Sequence, residues 1–284
     1  MNIHNSFTKL RTGNRHSEIE MCEPGYQTAL IAQLAAQMES ISLTEMDEAA
    51  LLNRVDTKYV LPAAILPQIL IDIRSQYRVL CVQGRCLNHY RTLYFDSPDF
   101  SLYRMHVNGR AERSKVRCRE YLDTHLSFLE IKEHTRKHRT IKQRLQTPKP
   151  VFAIAGDAAH WLDQIFPFKD DSLHPKLWNT FTRITLVRNE GPERVTLDLD
   201  LRFFAEERAA SLDNVTIAEV KQEAGTNASP FIALMRSKGI HPCSFSKYVM
   251  GVSMLYEDVK KNTLKAKMHE IEKITGGYSY GYVC

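Results

Sequence analysis

The segment Arg113-Ser114-Lys115-Val116-Arg117-Cys118-Arg119-Glu120-Tyr121 decides how this chain folds. In an extended strand, residues two apart share a face. One row is then Arg113, Lys115, Arg117, Arg119 and Tyr121, and the other contains Val116 and Cys118. Neighbouring cations on such a face stand roughly 7 Å apart and repel by about 2 kcal/mol per adjacent pair at an effective dielectric near 20, or about 0.6 kcal/mol in bulk water. Four in a row need an anion.

The same alternation recurs on both sides of this segment. Arg54, Asp56 and Lys58 oppose Val55, Thr57 and Tyr59; Glu130 and Lys132 oppose Leu129 and Ile131. Arg194, Thr196, Asp198 and Asp200 oppose Val195, Leu197, Leu199 and Leu201, and Glu219, Lys221 and Glu223 oppose Ala218 and Val220. For any single strand a polar face in water explains the pattern. Its recurrence over residues 54–222 asks for more. Apolar stripes at helical spacing predict helices over Tyr26–Met38, Pro62–Gln76, Val151–Ile165 and Pro230–Ser237, and a long C-terminal helix from Ser246 to about Ile274. Helices must cover the apolar sheet face, which leaves the charged face on an open surface or inside a closed barrel. With no repeat or linker dividing the chain, the expectation is a single α+β domain over residues 25–284 behind a flexible arm, residues 1–24.

Composition narrows the function classes. Of 284 residues 43% are hydrophobic, and Gly (12) and Pro (11) are scarce, which excludes disorder and low complexity. Stretches without charge or amide, such as Tyr59 to Pro67, are too short to cross a bilayer, and the first twenty residues hold no apolar signal region, so a cytoplasmic protein is expected. The six cysteines include no C-x-x-C pair, so reduced thiols are expected; only Cys81 and Cys86 can meet, across a Gln83-Gly84 turn. The glycine-rich nucleotide loops, G-x-S-x-G and H-E-x-x-H are all absent. His134 and His138 sit in an apolar-free run that reads as a solvated loop rather than a metal site, and Trp161 and Trp178 read as core or rim aromatics. The carboxylates suited to a divalent metal are Glu219, Glu130, Asp198 and Asp200, each of which has an alternative role as counter-charge to nearby cations.

An ordered series of short motifs resembles a known family. They are Arg54-Val-Asp-Thr-Lys58-Tyr-Val, Leu93-Tyr-Phe-Asp96 with Tyr103, Lys115-Val-Arg-Cys-Arg119-Glu-Tyr, Phe128-Leu-Glu-Ile-Lys132, Thr182-Arg183, Arg194-Val-Thr-Leu-Asp198, Ala218-Glu-Val-Lys221 and Ser244-Phe-Ser-Lys247-Tyr. In this order, over about residues 40–258, they resemble the VTC domain, the polyphosphate polymerase branch of the CYTH-like triphosphate tunnel metalloenzymes. The resemblance implies an eight-stranded antiparallel β-barrel tunnel whose charged lumen holds the triphosphate of ATP. The hydrolases of that superfamily begin with E-x-E-x-K; here the strand reads Arg54-x-Asp56-x-Lys58, which favours the polymerase branch.

Carried onto this sequence, the resemblance implies ATP and inorganic polyphosphate as partners, with no specific nucleic acid and no transmembrane segment. Arg117, Arg119, Lys58 and Lys132 form the implied catalytic set, gripping the phosphates; Arg183 and Lys247 bind substrate, as does Lys142 or Arg144. The polar rows add Arg54, Lys115 and Lys221 to the substrate contacts. Glu219 is the implied carboxylate for Mn²⁺ or Mg²⁺. The expected reaction is metal-dependent transfer of the γ-phosphate of ATP to a growing polyphosphate, for which positioned cations suffice without a side-chain nucleophile. Two rivals stand beside it: a triphosphatase of the same fold, and a non-catalytic module binding polyphosphate, nucleotide or RNA. Replacing Arg117 or Arg119 by Ala is expected to spare the fold, since either change relieves like-charge repulsion.

Overall fold

The computed structural model describes residues 26–48, 54–137, 139–166, 172–225, 228–275 and 279–282. The expected arm over residues 1–24, and Cys22, His138 and Cys284, lie outside the described residues. In chain order the elements are α1 (Tyr26–Ala36), β1 (Ser40–Ile41), α2 (Leu43–Glu48), β2 (Arg54–Pro62), α3 (Leu66–Ile73), β3 (Tyr77–Leu80), β4 (Asn88–Asp96) and α4 (Ser101–Val107). They continue with β5 (Arg113–Tyr121), β6 (Leu126–His134), β7 (Thr140–Thr147), α5 (Gly156–Ile165), β8 (His174–Arg188), β9 (Glu193–Ala205), β10 (Arg208–Leu212) and β11 (Val215–Glu223). Last come α6 (Pro230–Ser237), α7 (Lys247–Leu255), α8 (Lys265–Thr275) and β12 (Ser279–Tyr282).

Eight strands form one antiparallel path, β7-β6-β5-β4-β8-β9-β11-β2. Side branches add β10 and β12 beyond β9, and β3 with its short parallel neighbour β1 beside β8. The path curves around a cavity lined from all eight strands. It does not close into a barrel. Among the described residues β7 pairs only with β6, and β2 only with β11. Lys58 of β2 nonetheless lies close enough to Lys115 and Lys132 to help lower their pKa values, after burial, so cations of β2, β5 and β6 share the one cavity.

The outer face is dry and covered by helices. Beneath α1, α3 and α6 lie Ile184, Leu186, Val195, Leu197, Ala218 and Val220; beneath α5 lie Leu93, Val116, Cys118, Leu129 and Ile131. These are the apolar partners of the charged rows. α6 carries its start signal in the sequence: Pro230 opens the first turn and the Ser229 hydroxyl accepts the Ile232 N–H at 3.1 Å. A buried carboxylate organises α4. Asp96 accepts the N–H groups of Leu102 and Tyr103, each at 2.8 Å, and the hydroxyl of Tyr248 in α7.

Five further expectations need correction. The helix expected over 62–76 opens as a 3₁₀ turn, Ala63–Ile65, and the one expected from Val151 begins only at Gly156. The long C-terminal helix is two helices: α7 stops where Tyr256 turns extended and donates its hydroxyl to the Lys176 carbonyl at 2.6 Å, and a 3₁₀ turn, Asn262–Leu264, precedes α8. Asp200 leaves the inward row because β8 and β9 slip register between Thr180 and Thr182, and Asp200 itself takes φ +52°. Cys81 and Cys86 are joined in a disulfide: Gln83 and Gly84, both at positive φ, make a tight turn that brings the two Cα atoms within 4.1 Å, so the expectation of reduced thiols fails there.

One glycine is fixed by packing rather than by backbone angle. A Cβ at Gly251, in the middle of α7, would stand 2.5 Å from Phe203 Cδ1 and 2.6 Å from Leu177 Cδ2, both in buried side chains of the sheet. Gly251→Ala should therefore destabilise the fold by about 1–3 kcal/mol, despite the higher helix propensity of alanine, as read by denaturant melting.

Candidate anion-binding cavity

The cavity measures about 580 Å³. The structure brings Lys58, Lys115, Arg117, Arg119, Lys132, Lys142, Arg183, Lys221, Lys247 and Glu219 together on its wall. Arg54 opens β2, at the register position of Glu223. Arg113 does not join the others; its Nη1 donates to the Arg110 carbonyl at 2.8 Å.

Strand register turns the cationic row into ladders. Lys115, Lys132 and Lys142 stand directly opposite one another across β5, β6 and β7. One step further in, Arg117, Glu130 and Arg144 do the same. The acidic residues are interleaved among these cations, and each of three carboxylates is gripped by two of them. Glu130 receives Arg117 Nε at 2.8 Å and Lys142 Nζ at 2.5 Å. Asp198 receives Arg183 in a two-pronged contact, at 2.6 and 2.8 Å, and also Lys247. Glu219 is bridged by Lys221 and faces Lys58 at 3.6 Å, while the Lys58 ammonium donates to the Phe245 carbonyl at 3.0 Å. Of the four carboxylates weighed from sequence, Glu130 and Asp198 thus act as counter-charges.

Burial pushes the Glu130 and Asp198 carboxyls up, but the paired cations outweigh it and hold both well below the usual range. Lysines show the opposite balance. Burial, with repulsion from neighbouring cations, brings Lys132, Lys142 and Lys247 down to about 8, and Lys115 is also held well below the usual lysine range, by burial first and then by Lys58, Lys132 and Arg117.

Sequence reading missed the aromatic floor. Tyr90 and Phe181 stack with centroids 5.0 Å apart and planes 6° from parallel. Arg119 lies over them at 5.7 and 5.9 Å, Arg183 at 5.1 and 5.3 Å, and Lys247 stands 4.5 Å from Phe181. Parity marks both rings, since Tyr90 shares a face with Asn88, and Phe181 with Arg183. Their apolar character hides them among core residues.

No group of three His, Cys, Asp or Glu side chains suited to a metal exists among the described residues. The donor set fits a different kind of metal site. Mg²⁺ characteristically takes one or two carboxylates and fills its shell with water and substrate phosphates; Glu219 has one oxygen bridged by Lys221 and the other 3.6 Å from Lys58, and this second oxygen can supply a ligand beside an incoming phosphate.

The geometry revises one expectation and makes two predictions. Arg117 is a partner of a carboxylate that is 1% exposed, so Arg117→Ala leaves Glu130 under-compensated and does not spare the fold. It should lower the free energy of unfolding by roughly 3–5 kcal/mol, and Arg119→Ala by distinctly less, when both are measured by denaturant melting. The lysines predict proton linkage. Their folded-state values lie below the roughly 10.4 of an unfolded chain, so from these groups the unliganded fold gains stability as pH rises through about 8 to 10.4. A bound anion restores their protons. Calorimetry of tripolyphosphate binding at about pH 8.5, in buffers of different ionisation heat, should therefore show net proton uptake that fades below about pH 7.

The sequence model of the VTC domain matches residues 53–256. No curated protein matches the chain in sequence. Solved structures similar to it include a candidate adenylate cyclase from Vibrio parahaemolyticus (12% identity, 71% of this chain and 99% of that one, TM-score 0.43). Others are the PH1819 protein from Pyrococcus horikoshii OT3 (13% identity, 71% and 98%, TM-score 0.42) and HpAC1 from Hippeastrum, described as having a dominant triphosphatase activity (12% identity, 72% and 97%, TM-score 0.41). With most of its length matched, from the first inward-facing strand to the end of α7, this chain belongs to the VTC domain family.

Proposed function

We propose that residues 25–284 act as one unit, a metal-dependent polyphosphate polymerase that passes the γ-phosphate of ATP to the end of an inorganic polyphosphate chain held in the cavity. One observation carries the reading: after three carboxylates have each taken two cations, Lys115, Lys132 and Arg119 still face the cavity with no ion-pair partner among the described residues. Their charge calls for a multivalent anion.

In this reading Arg119 and Arg117 present planar guanidinium groups to phosphate oxygens, for which Arg offers fork-like contacts that Lys does not. Lys58, Lys115 and Lys132 act as point charges along the triphosphate. Lys142, Arg183, Lys221 and Lys247 surround it and hold their own counter-carboxylates in place, and Arg54 adds charge at the start of β2. Mn²⁺ or Mg²⁺ arriving with the nucleotide would be held by Glu219 and would neutralise charge on the phosphates. The terminal oxygen of the polyphosphate attacks the γ-phosphorus, ADP leaves, and one phosphoanhydride bond forms as one breaks, so the acceptor grows by a phosphate. The aromatic floor beneath Arg119, Arg183 and Lys247 fixes their positions before substrate arrives, which is what transfer by positioning and charge neutralisation requires.

The test is to incubate the purified chain with ATP and Mn²⁺ and to resolve the products by size. Polymer accompanied by ADP supports the proposal; ADP and orthophosphate alone would transfer the cavity to a triphosphatase. Arg119→Lys should lower turnover by about 10²-fold or more, because a point charge cannot replace the planar fork. Glu219→Gln should abolish metal-dependent turnover while metal-free tripolyphosphate binding is kept or strengthened. An unchanged metal requirement in that variant would remove Glu219 from the metal.

A further inference from the structure

The cavity is chemically polar along its axis. Following β5 outward from Tyr121 to Arg113 moves from Tyr121 and Leu126, past Arg117, to the Lys115–Lys132–Lys142 ladder. Beyond Tyr121, the opposite mouth bears a carboxylate: Asp123 accepts the His89 N–H at 2.6 Å and faces Arg85 at 3.6 Å.

Beyond the lysine ladder the inward rows continue as Arg113, His134 and Thr140, again in direct register. Two loops then meet. The turn that follows β6 is tied to the residues before β5 by Arg136 to Glu112 at 2.9 Å and by the His134 ring to the Ala111 carbonyl at 2.9 Å. They leave Arg110, Lys137 and Arg139 exposed at this mouth. The run that as sequence reads only as a solvated loop therefore sits where the cationic ladder runs out of the cavity.

We propose that these loops are a second, external binding surface for inorganic polyphosphate: a chain too long for the cavity leaves it past the lysine ladder and lies across Arg110, Lys137 and Arg139. This rests on the reading of the cavity as a polyphosphate site and extends it to recognition of chain length. The surface adds exposed, salt-screened charge, so it contributes only for a polymer that reaches it. A triphosphate does not.

The experiment compares tripolyphosphate with polyphosphate of roughly fifty or more units, on the full chain and on its Arg110→Gln/Lys137→Gln/Arg139→Gln variant, at two salt concentrations. The variant should bind long polyphosphate about tenfold more weakly at low salt and with a shallower salt dependence, since three phosphate contacts are lost, while tripolyphosphate affinity stays within about twofold. Unchanged long-chain affinity, or an equal loss for both ligands, overturns the inference. So does a loss of long-chain binding in Arg85→Gln, which would put the polymer at the other mouth, or an equal loss for a single-stranded RNA, which would make the loops a general polyanion patch. Failure of the unaltered chain to bind tripolyphosphate at all sinks the cavity reading itself, whereas the outcomes above leave that reading standing.

Discussion

Like charges forced to share the inside of a curved sheet are the constraint on which this structure rests. A strand that turns Lys115, Arg117 and Arg119 the same way cannot meet a partner with the same habit unless carboxylates are interleaved, and the fold supplies them at fixed register positions: Glu130 beside Arg117, Asp198 beside Arg183, Glu219 beside Lys58. Each carboxylate serves two cations, so compensation stops short of neutrality. The remaining excess is both a cost to the empty fold and the source of its affinity for anions. Stability and binding are thus opposite readings of the same charges.

Much of this was legible in the sequence because strand parity is a strict rule. Once β5 is read as a strand, Lys58, Lys132 and Glu219 fall on the inward rows of their own strands without knowledge of which strands are neighbours, whereas Arg183 came from the family resemblance alone. Parity fails where the backbone departs from period two. Asp200 was sorted inward with Asp198, but the irregularity between β8 and β9 breaks the count before it is reached. Closure was equally out of reach, since it depends on two edges, β2 and β7, far apart in the chain. The C-terminal helix was overextended because its interruption is imposed by a tertiary hydrogen bond, from Tyr256 to β8, and not by a local breaker.

The site's residues were found more readily than their employment. Sequence shows that Glu130, Asp198 and Glu219 share faces with cations, but only register shows which cations each one holds. Arg117 and Arg119 look equivalent as letters two apart. Across the sheet one meets a buried carboxylate and the other a pair of aromatic rings, which gives them separate roles in holding the fold. The Cys81–Cys86 bond shows the reverse limit: the turn that permits it was visible, yet composition argued for thiols.

The placement of α7 ties the wet side of the sheet to the dry side. Lys247, the first residue of this helix, reaches Asp198 inside the cavity; its neighbour Tyr248, and Gly251 one turn later, seat the same helix against Asp96, Phe203 and Leu177 in the core. A rigid helix transmits displacement along its length, so a side chain too large at the seat would slide the ammonium at the other end. The position of a cation in the cavity is thus partly a matter of carpentry in the hydrocarbon layer, where a single added methyl group on the far face would be felt at Asp198.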